Sequence, residues 1–186
     1  MGHTLIFILV VAAVWLAAIY YLPGMLMSVY KRAILSKGFG EGPVPVNTLY
    51  TQPIGQFADP LHSSGSRLTI TGVNRDTLIT IGWLDLRVSP LILHVPDMSD
   101  RYYSVQFTDP LKNTAFAYIG KRTTGAEAGA FLISGPGWKG EAPRGVSRIA
   151  SPNNSVLVIG RVLVNGDGDL SNAYNLSKQL RLTVYS

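Results

Sequence analysis

Cysteine is absent from the 186 residues. Its absence excludes a disulfide framework, a cysteine nucleophile and a thiolate zinc site, but does not choose between a reducing and an oxidising compartment. Charge is scarce too. Asp, Glu, Lys and Arg make up 15% of the chain, against roughly 25% in an average soluble domain, which excludes a disordered acidic or basic tail. With 19 Gly and 11 Pro, a helical bundle is disfavoured as well. The net charge is +5, yet the basic residues are spread from Lys31 to Arg181 and never run longer than the pairs Lys31-Arg32 and Lys121-Arg122. A nucleic-acid binder gathers them on one element, so no nucleic-acid partner is expected.

What the chain has in excess is one apolar run. Thr4 to Leu22 reads TLIFILVVAAVWLAAIYYL, without charge, Gly or Pro. At 1.5 Å per residue it spans about 28 Å, close to the hydrocarbon thickness of a bilayer. Tyr20 and Tyr21 stand where an interfacial aromatic belt would be. A cleaved signal peptide needs a basic start, a shorter apolar core and a small-x-small site; LPGMLMSVYK offers no clean one. The expectation is a retained single-pass anchor over residues 1–30 in a cell membrane, contacting the bilayer through residues 4–22. Pro23-Gly24 is expected to end its regular helix, and residues 31–46 to form a linker. Lys31, Arg32 and Lys37 follow the span, and this bias alone points the rest of the chain to the cytoplasm.

Residues 47–186 read as one β domain. Strand patterns recur at Leu68–Val73, Leu78–Leu86, Leu91–Val95, Arg101–Thr108, Ala115–Ile119, Ala130–Ser134 and Ser155–Val164, mostly separated by Gly, Pro, Asp or Asn. That is the spacing of an antiparallel sandwich or barrel. In Ser155–Val164 both alternating faces are apolar, which marks a central strand buried on both sides. Asp169 or Ser171 can start a short helix running to Gln179, and Arg181–Tyr185 reads as a last strand.

Motifs with chemistry attached are weak. Gly38-Phe39-Gly40-Glu41-Gly42 has no helix to open, Gly120-Lys121 is followed by Arg rather than Ser or Thr, and no G-x-S-x-G occurs. Asn165, Asp167 and Asp169 mimic the first ligands of a calcium loop, but Leu170 and Leu176 stand where Gly and Glu are needed; a turn and helix cap is the plainer reading. His3, His62 and His94 have no ligand spacing. No metal, cofactor or catalytic residue is assigned. Two charges stand on apolar faces: Asp85 with Ile79, Ile81 and Trp83, and Arg161 with Leu157, Ile159 and Leu163. Unpaired burial costs several kcal/mol, so an Arg161–Asp85 ion pair is expected, with Asp76 as the second choice of partner. The alternative is an anion pocket built on Arg75, Arg122 and Arg161.

The strings NRDTLITIGWLDL, VPDMSDRYYSVQFTD, AYIGKRTTG, FLISGPGWKG and GRVLVNGDGDL, in that order, resemble the domain-of-unknown-function 1254 family over roughly Val46 to Ser186. The resemblance implies an immunoglobulin-like β-sandwich, which gives the fold class: all-β, with an N-terminal transmembrane helix and one short C-terminal helix. Members are often bacterial, often carry a secretory signal, and often continue into a second domain, the 1214 family. The last two features imply a β domain on the periplasmic side, against the charge bias, and a partner that supplies the missing half.

Two functions follow as expectations. The preferred one is a membrane-anchored, non-catalytic β-sandwich that assembles with a protein partner, such as a separate chain of the 1214 family. The other is an enzyme or a sugar- or anion-binding domain with Arg75, Asp76, Tyr103, Arg122 and Trp138 around a cleft. A shared cleft would favour the second, and scattered positions the first.

Overall fold

The computed structural model describes residues 2–38, 42–58, 76–99 and 101–186. The apolar run forms α1 (Gly2–Lys37), a helix of 36 residues and roughly 54 Å at 1.5 Å per residue. Contrary to expectation, Pro23-Gly24 does not end it: α1 runs through both. Proline removes one backbone hydrogen bond, to the carbonyl of Ile19, and apolar helices tolerate that loss. The helix regains contacts downstream, where Met27, Ile34 and Leu35 pack onto a β-sheet. Residues 31–37, expected as linker, are therefore its last two turns. The helix stops at Gly38, whose φ of 53° is the left-handed conformation glycine adopts without penalty; its N–H donates to the Ile34 carbonyl at 2.8 Å.

Then follow β1 (Leu49–Thr51), a short helix α2 (Ile54–Ala58), β2 (Thr77–Asp85), β3 (Leu91–Val95), β4 (Tyr103–Asp109), β5 (Thr114–Gly120), β6 (Gly129–Ser134), β7 (Ser147–Ala150), β8 (Ser155–Leu163), α3 (Leu170–Gln179) and β9 (Arg181–Val184). The structure is thus mostly β, with a helix at each end of the β region. The expected strand Leu68–Val73 lies outside the described residues. β7 is an addition: its sequence SRIA is polar and mostly exposed, so it lacks the alternation by which a strand is read. It pairs with β6 in parallel, which makes the sheets not wholly antiparallel.

The strands form two open sheets, one ordered β1-β2-β8-β4-β5 and one ordered β7-β6-β3-β9. They share a core. Leu78, Leu84, Val105, Phe107, Val156, Val158 and Val162 come from the first sheet; Leu91, Leu93, Val95 and Ile133 come from the second. α3 closes one flank with Ala173, and Leu180 follows it into the core. β8 is central, between β2 and β4, as its two apolar faces require. Val156, Val158 and Val162 point to the shared core, while Leu157 and Ile159 point outward under α1. The edge strand β1 reaches β2 because residue 82 is glycine: a Cβ there would stand 2.6 Å from the Thr48 carbonyl oxygen.

Candidate functional site

The outer face of the five-stranded sheet is where the end of α1 packs onto the strands. Ile81 and Trp83 of β2, Leu157 of β8 and Ile34 of α1 form a buried cluster, flanked by Met27, Leu35, Ile79 and Ile159. Trp83 is 1% exposed. Its indole N–H donates to Ser155 Oγ at 2.7 Å, and Lys31 Nζ stands 5.2 Å from its ring centroid, a cation–π distance. A cleft of about 400 Å³ opens beside this contact, between Gly24, Met27, Ser28 and Lys31 of the helix and Pro110, Leu111, Asn153, Asn154 and Ser155 of the domain.

Of the residues proposed from sequence as a ligand cleft, the described ones do not share one cleft: Tyr103 and Arg122 line one hollow and Trp138 another. Arg75 lies outside the described residues. Asp76 is exposed just before β2. Tyr103 is 1% exposed in the core, and exposed Arg122 stacks over Tyr102 at 5.5 Å. Tyr103 and Arg122 share a hollow of only about 160 Å³, below the roughly 300–1,000 Å³ of small-molecule sites. Trp138 lies at the other end of the sheets. Arg148 stands over its ring at 4.7 Å, Tyr185 meets it edge-on, and it lines a separate hollow with residues 86–90. Among the described residues no group of three or more metal-ligating side chains gathers. His94 bonds Thr183 Oγ1 at 2.8 Å, and burial, then nearby Arg181, pushes its pKa down.

The Arg161–Asp85 pair is corrected. Both residues lie on the outer face, but in the register of β2 and β8 Arg161 stands opposite Ile79, and Asp85 opposite Ser155. Six residues of strand, about 20 Å, separate them. Asp85 instead pairs with Arg87, whose Nε donates to both carboxylate oxygens at 2.9 and 3.0 Å. That donation, from a guanidinium two residues away, lowers the Asp85 pKa. Arg161 is half-buried and has no ion-pair partner among the described residues. Because Arg87 is largely exposed, Arg87→Ala should leave the thermal midpoint where it is; a large drop in a melting experiment would show the pair to be structural.

The ion pair that matters was not anticipated. Arg101, before β4, meets Asp169, at the start of α3, with both terminal guanidinium nitrogens. Nη1 donates to Oδ2, Nη2 to Oδ1 at 2.7 Å, and Nη1 also to the Leu163 carbonyl at 2.6 Å. Asp169 Oδ2 accepts from the Asn165 N–H at 2.8 Å as well. The carboxylate expected to cap α3 is spent on this pair, and no side-chain cap bond forms. The side chains are 10% and 18% exposed. Held first by Arg101, the Asp169 pKa falls from 3.8 to about 2. A depressed carboxylate stabilises the fold fully above its unfolded value and loses that contribution as pH falls through its folded value. The fold should therefore lose about 2 kcal/mol between pH 4 and pH 2. Urea midpoints across that window check it, with Asp169→Asn, which cannot titrate, showing the smaller pH slope.

The model of the family described as "Protein of unknown function (DUF1254)" matches residues 54–184. No curated protein matches the chain. Among solved structures, the VPA0106 protein from Vibrio parahaemolyticus is 27% identical, with a TM-score of 0.66 over 91% of this chain. The chain spans 37% of the length of that protein. An uncharacterized protein from Burkholderia cenocepacia is 12% identical, with a TM-score of 0.40 over 87% of this chain and 48% of its own.

Proposed function

The chain belongs to DUF1254, a family of proteins of unknown function, and we propose that it is a single-pass membrane protein whose β domain, an immunoglobulin-like sandwich, is non-catalytic and assembles with a protein partner. The observation that carries this reading is the division of α1. None of its most apolar stretch is buried, and a helix apolar all round without protein around it calls for lipid. Its last turns, by contrast, are seated on the sheet through Met27, Ile34 and Leu35. One rigid element thus leads from a span of bilayer length into the fold.

The non-catalytic part is supported by the small volume of the hollow that Tyr103 and Arg122 share and by the placing of Trp138 in a separate one. The partner in this reading is a separate chain of the 1214 family. The β domain faces away from the cytoplasm in this reading. Lys31 pulls against that on charge alone, but it has a structural use over Trp83. Alkaline extraction of membranes tests the anchor: the chain should stay in the pellet at its full mass, and release or a mature start beyond Leu22 would refute it. Protease added to intact spheroplasts should digest the β domain. Co-expression with a 1214-family chain should give one comigrating complex; independent migration would remove the partner.

A further inference from the structure

The registers of the five-stranded sheet bring several loops to one end of the domain. Asp85 stands opposite Ser155 and Thr108 opposite Leu157, so the loop after β2, the turn after β4 and the loop before β8 lie together. This is the end that α1 enters, because Pro110 and Leu111 line the same cleft as Gly24, Met27 and Ser28. Gly24 lies two residues past Leu22, about 3 Å along the helix axis. The turn after β4 is therefore at the level where the apolar run ends.

At that level the surface is unusual for a water-facing loop. Outside α1, the two most exposed large apolar side chains among the described residues are Val88, at 93%, and Leu111, at 72%. Both are at this end, and each has a cation beside it in sequence, Arg87 and Lys112. The turn holding Leu111 is built firmly. Buried Asp109 accepts the Leu111 N–H at 2.9 Å, and Asn113 closes the turn at φ 50°. Alongside, the exposed side of α1 stays apolar through Met25, Leu26, Val29 and Tyr30, and Lys31 is its first charged residue. Apolar tips flanked by cations suit the headgroup layer, where the tip enters the acyl boundary and a cation meets phosphate; Lys112 is that cation here, since Arg87 is held by Asp85.

We propose that this end of the β domain rests on the lipid surface, with Leu111 and Val88 inserted among the headgroups beside α1. The proposal rests on the membrane-anchor reading and goes further, since a tethered domain need not touch the bilayer. Three contacts, the helix and two loop tips, would fix its tilt and leave the opposite end, near Gly120, facing water.

The absence of native cysteine makes single labels clean. The full chain would be reconstituted into vesicles of phosphatidylcholine and phosphatidylglycerol. Leu111→Cys, Val88→Cys, Leu16→Cys and Thr123→Cys variants would each carry an environment-sensitive fluorophore. Thr123 is exposed and lies beyond the far end of β4 and β5, about 20 Å away. With headgroup-level nitroxide lipid, the Leu111 and Val88 labels should lose more than half their emission and shift to the blue, while the Thr123 label stays unquenched. The Leu16 label, read against acyl-chain nitroxide, separates the two ideas. If it too is unquenched, the anchor reading has failed. If it is quenched while Leu111 and Val88 behave as Thr123 does, only the seating is overturned. A Leu111 label shielded from water but unquenched by nitroxide lipid would mean that protein covers this end, and that also overturns it.

Discussion

Replacing Arg101 by Met should cost the fold about 3–5 kcal/mol, the range for removing one member of a buried ion pair. The size follows from what is left behind. Asp169 would keep its charge at 18% exposure with only the Asn165 N–H and a long contact to Asn172 to hold it. The Leu163 carbonyl would lose its donor at 2.6 Å. The pair also ties the approach to β4 to the loop between β8 and α3, residues 68 apart in sequence, so its loss loosens two crossings at once. Pairing Arg101→Met with Asp169→Leu should recover much of the loss, because neither charge then needs a partner. Urea unfolding of the four proteins in one detergent measures the cycle. A single-variant loss under about 1 kcal/mol would put this pair with exposed ones and remove it from the account of the fold.

That pair also marks where sequence reading stops. Alternation assigned faces well: β8 was legible as central because Val156, Val158 and Val162 alternate with Leu157 and Ile159, and both sets are buried or packed. Alternation does not give register. Asp85 and Arg161 do share a face, but only the pairing of β2 with β8 reveals that they stand six residues apart along it. Arg101 and Asp169 stand at the margins of their elements, before β4 and at the start of α3, where alternation says nothing about partners. The available signal was scarcity: in a chain with 15% charge, an Arg just before a strand and an Asp at a helix start are worth pairing. Local rules also misread α1. Pro23-Gly24 is a strong stop signal, and it was overridden by packing contacts from Met27 to Leu35 that no local window contains.

Those contacts predict the other large effect. Ile34 is 4% exposed, set against Ile81, Trp83 and Leu157. Ile34→Asp would bury a carboxylate in an apolar cluster, at a cost of several kcal/mol that Lys31, one turn back over Trp83, offsets only in part. The β domain need not unfold to escape it. The two sheets share a separate core, while Ile34 belongs to the smaller cluster on the outer face, so the cheaper response is for the end of α1 to lift off. Trypsin should then cut faster at Lys31, Arg32 and Lys37, and the Trp83 emission should move to the red as its ring loses Lys31 and gains water. The far-ultraviolet strand signal should persist. Arg32→Asp, at an exposed position on the same helix, should leave the emission unchanged. If Ile34→Asp also leaves it unchanged, the helix does not rest on the sheet. If the strand signal collapses with it, the outer-face cluster is part of the folding core rather than a separable joint between α1 and the sheets.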